Sequence, residues 1–146
     1  MKTVQDVLQS KGSSQILSVS SSTSVLDAVK VMDKKNVGAL LVIDEGKLVG
    51  IISERDIIRR LVAKVKSSRE TIVKDIMTSD LYGVTPDIST EKALMLMTEK
   101  RVRHLPVFEG EHLVGVISIG NIVKSVITSQ DNLIGNLQDY ILGKYI

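Results

Sequence analysis

Apolar residues along this chain change their spacing in a fixed order, and the order occurs twice. An extended run, Ile16-Leu17-Ser18-Val19, gives way to helical spacing at Val25, Ala28, Val29 and Met32, with Ser24 placed as N-cap. Two nearly continuous apolar runs follow, Ala39–Ile43 and Lys47–Ile52, around Asp44-Glu45-Gly46. A Gly in so short a loop predicts a hairpin, and unbroken apolar strands predict a sheet whose faces or ends are largely buried. A second helix is predicted from Ser53, with Ile57, Ile58, Leu61 and Val62 as its apolar positions. The order then returns. Leu81-Tyr82-Gly83-Val84 leads, and a helix capped by Ser89 carries Ala93, Leu94, Leu96 and Met97. Strands His104–Phe108 and His112–Ile117 flank Glu109-Gly110-Glu111, and a last helix from Ser118 carries Ile122, Val123, Val126 and Ile127. Lys92, not an acid, stands three places after Ser89, so no capping box is predicted there.

The two passages align without a gap at a constant shift of 65 positions, Val19–Ile57 on Val84–Ile122. Ala28, Met32, Leu40, Val42, Gly50, Ile52 and Ser53 recur as Ala93, Met97, Leu105, Val107, Gly115, Ile117 and Ser118. Recurring residues that are mostly apolar or Gly report a shared core, hence two copies of one supersecondary unit. One copy alone is too short to bury much surface, so the copies are expected to share an interface in a pseudo-twofold α/β object. The expected divisions are 1–15, an N-terminal segment with a helix candidate at Val4–Gln9; 16–66, the first repeat; 67–80, a linker; 81–130, the second repeat; and 131–146, a C-terminal helix with Ile134, Leu137 and Ile141 on one face. The joining segment Lys64–Asp80 is rich in Lys, Ser and Thr and ends in a short amphipathic piece, Val73–Thr78, leading into the second copy.

Composition narrows the function. Apolar residues make up 43% and charged residues 25%, the balance of a soluble globular protein. A net charge of +2 gives little reason to expect a nucleic-acid partner. The absence of Cys removes disulfides, thiol chemistry and Cys-based metal sites, and the two His, His104 and His112, have no metal-ligand spacing. The longest apolar run, Val37–Ile43, is too short to span a bilayer, and the N-terminus lacks a signal-peptide core. A cytoplasmic location is expected. No P-loop and no Gly-x-Ser-x-Gly elbow is present, so neither phosphate hydrolysis nor serine hydrolysis is expected.

The candidate chemistry sits at the second helix of each copy. A Ser opening a helix caps free backbone N–H groups, and such an end favours anions. Asp56, in the first turn after Ser53, is a carboxylate able to accept two hydrogen bonds, as an acid does from ribose hydroxyls in dinucleotide folds. A capped helix with an acid in its first turn is the plain structural alternative.

The order β-α-β-β-α, twice, with Leu48-Val49-Gly50-Ile51-Ile52-Ser53-Glu54-Arg55-Asp56, Leu113-Val114-Gly115-Val116-Ile117-Ser118-Ile119-Gly120-Asn121 and Val102-Arg103-His104-Leu105-Pro106-Val107, resembles the tandem CBS-domain pair, or Bateman module. The resemblance covers about residues 16–130 and suggests a stand-alone pair. It implies ligand sites built from both copies. In the main site Ser53 would lie near a phosphate and Asp56 on the ribose, with Leu81, Tyr82, Gly83 and Val84 around the base and Arg103 and His104 toward the phosphates. The second site would join Ser118 and Asn121 to Gln15, Ile16, Leu17 and Ser18 and to Gly38, Ala39 and Leu40. Asn121 departs from the family's Asp and lacks its charge, so this site is expected to be weaker or empty.

The expected function is therefore non-catalytic. The module would bind an adenosine nucleotide (AMP, ADP, ATP or NAD(H)) between the repeats, with no metal and no catalytic cofactor, and would signal to an unidentified partner protein, with homodimer formation and no membrane association. Two alternatives stand beside this: a structural dimerisation module with vestigial sites, and an S-adenosylmethionine binder, which ranks lower because it leaves Arg103 without a phosphate.

Overall fold

The computed structural model describes residues 2–10 and 16–128, so Gln15 and the C-terminal helix expected near Leu133–Leu142 lie outside the described residues. The chain forms two compact units, one of Gln15–Tyr82 and one joining Met1–Ser14 to Gly83–Ile146.

In the first unit, β1 (Ser18–Val19) runs parallel to β2 (Ala39–Asp44), which pairs antiparallel with β3 (Lys47–Ser53) in the order β1-β2-β3. Between β1 and β2 lies α2 (Val25–Lys35); α1 (Val4–Ser10) belongs to the other unit. Ser24 caps α2 by accepting from the Asp27 N–H at 3.1 Å, and Asn36 ends it in the left-handed region at φ 54°, a conformation Asn tolerates. Val25, Ala28 and Met32 form the buried face of α2 and join Leu40, Val42 and Ile52 of the sheet in one core. The β2–β3 turn places Glu45 (φ 49°) and Gly46 (φ 78°) both in the left-handed region, the geometry that matches strand twist in a tight hairpin. At the end of β2, Asp44 accepts from the Ser21 backbone N–H at 2.9 Å and the Ser21 hydroxyl at 2.6 Å. The Ser21 side chain first, then its backbone N–H, with Lys74 adding positive charge, hold the Asp44 carboxyl below the usual aspartate value.

The helix predicted from Ser53 is split. Glu54–Asp56 is α-helical (α3), and Ile57–Val62 continues as a π-helix, with Ala63 N–H donating to Ile58 C=O at 2.9 Å. Of the four apolar positions predicted on it, Leu61 is buried and Ile57 half-buried, while Ile58 is 61% and Val62 63% exposed. Their counterparts in the second repeat, Val123 and Ile127, are exposed on a regular α-helix too, so the exposure belongs to the plan of the repeat and not to the π turn. A short helix, α4 (Val73–Ile76), completes this unit. Val73 and Ile76 are buried in the core, and Met77 packs over Gly50 of β3.

The second unit repeats the plan. Here α5 (Thr90–Lys100) is capped by Ser89 accepting from the Lys92 N–H, without a capping box, as Lys92 dictates. β4 (His104–Glu109) and β5 (His112–Ser118) pair antiparallel with a bulge between Val107 and Phe108, matching the bulge between Val42 and Ile43. Pro106 lies one residue before that bulge, but the first repeat bulges without a proline. Its effect is elsewhere: Leu41 donates to Leu17 C=O at 3.1 Å in the first repeat, and its counterpart Pro106 has no N–H. The expected leading strand Leu81–Val84 therefore shrinks to a single parallel bridge, Val84 with Val107. The last helix, α6 (Ile119–Thr128), is regular; Ile122 is buried, while Val123, Val126 and Ile127 are exposed rather than packed.

α1 (Val4–Ser10) belongs to this second unit, with Val4 and Val7 fully buried and Leu8 lying over Gly115. Val4-Gln5-Asp6-Val7-Leu8 thus does for the second sheet what Val73-Lys74-Asp75-Ile76-Met77 does for the first. Each short helix precedes one repeat in the chain and packs in the unit that holds the other.

Candidate functional site

Both predicted motif helices begin where the last strand ends. In the first unit Glu54 N–H donates to Gly38 C=O at 3.0 Å, which ties the helix start to the residue before β2. Ser53 Oγ accepts from the Asp56 N–H at 3.2 Å. Asp56 Oδ2 accepts from the Ser53 N–H at 3.0 Å and from the Ser53 hydroxyl at 3.0 Å. Thr78 Oγ1 donates to Asp56 Oδ1 at 3.0 Å, and Arg60 Nε lies 3.9 Å from the same oxygen. Arg60 is held from its other end by the carbonyls of Ile76 and Met77.

Two sequence expectations change here. Asp56 is not an open first-turn acid; it is 9% exposed and closes a reciprocal capping box. A carboxylate offers about four acceptor positions, and three are filled. One further donor fits directly, and a second requires the Ser53 or Thr78 hydroxyl to turn away. The helix end is also less open than a free N-terminus, because the Glu54, Asp56 and Ile57 N–H groups all have partners.

In the second unit Ile119 N–H donates to Arg103 C=O at 2.9 Å, the counterpart of Glu54 and Gly38. Ser118 N–H donates to Asn121 Oδ1 at 2.9 Å, and Asn121 N–H donates to Ser118 Oγ at 3.0 Å. The amide thus reproduces the reciprocal cap without the charge. Among the described residues nothing bonds the Asn121 side-chain nitrogen.

The first unit gathers Ser53, Asp56, Gly38, Ala39 and Leu40 with Ile16, Leu17 and Ser18; Ala39 stands opposite Ser53 in register and Ser18 opposite Leu41. Leu81 and Tyr82 end this unit. The second gathers Gly83, Val84, Arg103, His104, Ser118 and Asn121, with His104 opposite Ser118. Each of the two expected sites therefore draws one part from each unit. At Gly38 an added Cβ would lie 3.2 Å from Glu54 Oε1, so the strand start predicted for the second site stands beside an acid. Arg103, its counterpart, is exposed.

Within the second unit an open, mainly apolar groove of about 740 Å³ includes Gly83, Val84, Ile88, Met95, Leu96 and Phe108. A side chain at Gly83 would meet the Phe108 ring at 3.0 Å. Among the described residues no cluster of three or more His, Asp or Glu could hold a metal, and no helix is long and apolar enough to cross a membrane.

Sequence reasoning missed Thr78. Its signal was the second internal alignment, Val4–Leu8 on Val73–Met77, which marks the end of the linker as a packed element rather than a connector.

Comparison with known proteins agrees with this architecture. The family model described as CBS domain matches residues 4–63 and 73–128. A protein of Arabidopsis thaliana, "CBS domain-containing protein CBSX3, mitochondrial", is 40% identical over 98% of this chain and 73% of its own length. The solved structure of "a putative signal-transduction protein with CBS domains" from Burkholderia ambifaria is 44% identical, with a TM-score of 0.86 over 89% of this chain and 97% of that one. The CBS domain pair of protein MJ0100, solved in complex with methylthioadenosine and S-adenosyl-L-methionine, is 26% identical with a TM-score of 0.75, covering 86% of this chain and 96% of that one.

Proposed function

This chain belongs to the CBS-domain family, a family of regulatory modules, and on that premise we propose that it is a non-catalytic sensor of an adenosine-containing ligand. The observation that carries the reading is Asp56: a carboxylate fixed by three hydrogen bonds at a helix start, with one acceptor position left for a ribose hydroxyl. Ser53 with Asp56 from one repeat, and Leu81, Tyr82, Gly83, Val84, Arg103 and His104 leading into and within the other, form the main site. Arg103 favours a phosphate-bearing ligand (AMP, ADP, ATP or NAD(H)) because its guanidinium offers a bidentate fork. Asn121 without charge, and Glu54 beside Gly38, make the second site poor for phosphate.

The complex formed by MJ0100 favours a second reading, in which S-adenosylmethionine or methylthioadenosine is the ligand. Calorimetric titration with AMP, ATP, NAD, S-adenosylmethionine and methylthioadenosine separates the two. Under the first reading a phosphate-bearing ligand binds best, Asp56→Asn weakens it at least about tenfold by loss of a charge-assisted bond, and Asn121→Ala does much less. Equal binding by the parent and Asp56→Asn refutes the site. Preference for the sulfonium or thioether ligand selects the second reading.

A homodimer in the cytoplasm belongs to the same proposal, although the Arabidopsis relative is by its name mitochondrial. Val123, Val126 and Ile127 of α6 are exposed, and Lys124 is the only charge on that helix. Light scattering should give twice the 16.0 kDa chain mass; a mass fixed at the monomer value at high concentration refutes it.

A further inference from the structure

The open groove of the second unit owes its apolar character to residues that the internal repeat does not share. At the constant shift of 65 positions, Gly83, Ile88, Met95 and Phe108 stand where the first repeat has Ser18, Thr23, Lys30 and Ile43. The core does not call for them, because the first unit folds on the same plan without them. One wall of the groove is the stripe Lys92, Met95, Leu96 and Glu99, the i, i+3, i+4 and i+7 positions of one face of α5, turned away from the buried Ala93 and Met97. Met95 is 69% exposed. A concave apolar surface of this kind suits an amphipathic segment laid into it.

We propose that the occupant is this chain's own segment Leu133–Leu142, docked with Ile134, Leu137 and Ile141 toward the groove. The first support is where α6 ends. Lys2 Nζ donates to the Ser125 C=O in the last turn of α6 at 2.9 Å, and the Lys2 C=O accepts from the Thr90 N–H at the start of α5 at 3.1 Å. One lysine thus joins the end of α6 to the start of α5, which is the end of the groove that Ile88 and Lys92 line. The second support is direction and length. A chain that leaves Thr128 there and enters the groove runs the same way as α5. Ile134 to Ile141 as a helix covers about 10 Å, the same advance as Lys92 to Glu99.

Charge gives the third support. Asp131 and Asp139 precede Lys144 along the segment, and Lys92 precedes Glu99 along α5, so in this direction each end meets its opposite sign. A twofold contact with a second copy's groove would set two concave surfaces together, and a tethered segment has an effective concentration that a free chain does not reach. A small molecule finds few groups to orient it, since the Thr85 hydroxyl already donates to Asp87. The docked segment bears on Phe108, the ring that lies against Gly83.

The chain has no Cys, so introduced thiols are the only ones present. In the full chain, Met95→Cys with Leu137→Cys is treated with a short bismaleimide and followed by intact mass and denaturing gel. The two thiols should join within a single chain at least about tenfold faster than in Lys30→Cys with Leu137→Cys, where the partner position is moved to the first repeat. A freely moving segment would react with both. Chymotrypsin supplies the second measurement. Cleavage after Leu133, Leu137 or Tyr140 should be at least about tenfold faster in Met95→Asp than in the parent, with the fold intact by circular dichroism, because protection tracks the docked population. Ile134→Asp, which leaves α5 untouched, should do the same. Equal rates for the two thiol pairs, a product of two joined chains, or cleavage no faster in either Asp variant than in the parent overturns the proposal.

Discussion

Thr78 Oγ1 donates to Asp56 Oδ1 at 3.0 Å, joining the end of the linker to the first turn of the motif helix. That bond makes Asp56 a structural residue as well as a ligand candidate, and it changes which variants can test it.

Asp56→Ala leaves the half-buried Ser53 N–H and the Thr78 hydroxyl without their acceptor. Its expected cost is about 1–3 kcal/mol in urea unfolding, more than an exposed first-turn acid would show. Asp56→Asn should cost clearly less, because Asn121 already closes the same cap in the second repeat. Equal losses for both variants would mean that the charge, not the cap, stabilises this helix start.

Thr90 occupies in the second repeat the place of Val25 in the first, and its buried Oγ1 has no hydrogen-bond partner among the described residues. Thr90→Val removes an unsatisfied hydroxyl at constant shape and should stabilise the protein by about 1 kcal/mol, read as a higher melting temperature. A lower melting temperature would show that the hydroxyl is satisfied in solution.

Gly50 and Gly115 each lie under a side chain from a short helix. A Cβ at Gly50 would stand 2.6 Å from Met77 Sδ and 3.0 Å from the Thr78 carbonyl, whereas one at Gly115 would meet only Leu8, at 2.9 Å. Gly50→Ala must therefore shift backbone and should cost about 1–3 kcal/mol. Gly115→Ala displaces a rotatable leucine end and should cost less. Denaturant titration of the two single variants checks the order.

The Asp44 carboxyl has its pKa lowered by the Ser21 hydroxyl and backbone N–H. A group with a depressed folded-state pKa contributes stability that is complete above its unfolded value and is lost as pH falls through the folded one. Stability should thus decline as pH drops below the ordinary aspartate range near 3.8. Asp44→Asn should flatten that part of the decline, while an unchanged acid limb in the variant would assign it to other carboxylates.

What the sequence determined by itself was local or repeated. The caps at Ser24 and Ser89 and the hairpins around Glu45-Gly46 and Gly110 depend on residues within a few positions of one another. The twofold recurrence exposed the shared core and, through the motif at its end, the family. Tertiary structure decided the rest, because the partners are distant in the chain. Val4–Leu8 and Val73–Met77 are too short to show a period, and their role follows from the sheets they cover, at Gly115 and Gly50. The apolar stripe at Ile57, Ile58, Leu61 and Val62 was legible, but which members are covered was not: Ile58 and Val62 lie at the surface, as their counterparts Val123 and Ile127 do on the regular α6. Asp56 could be read as an acid beside a serine, but its burial depends on Thr78, twenty-two residues on, and no local spacing encodes a hydrogen bond closed by packing.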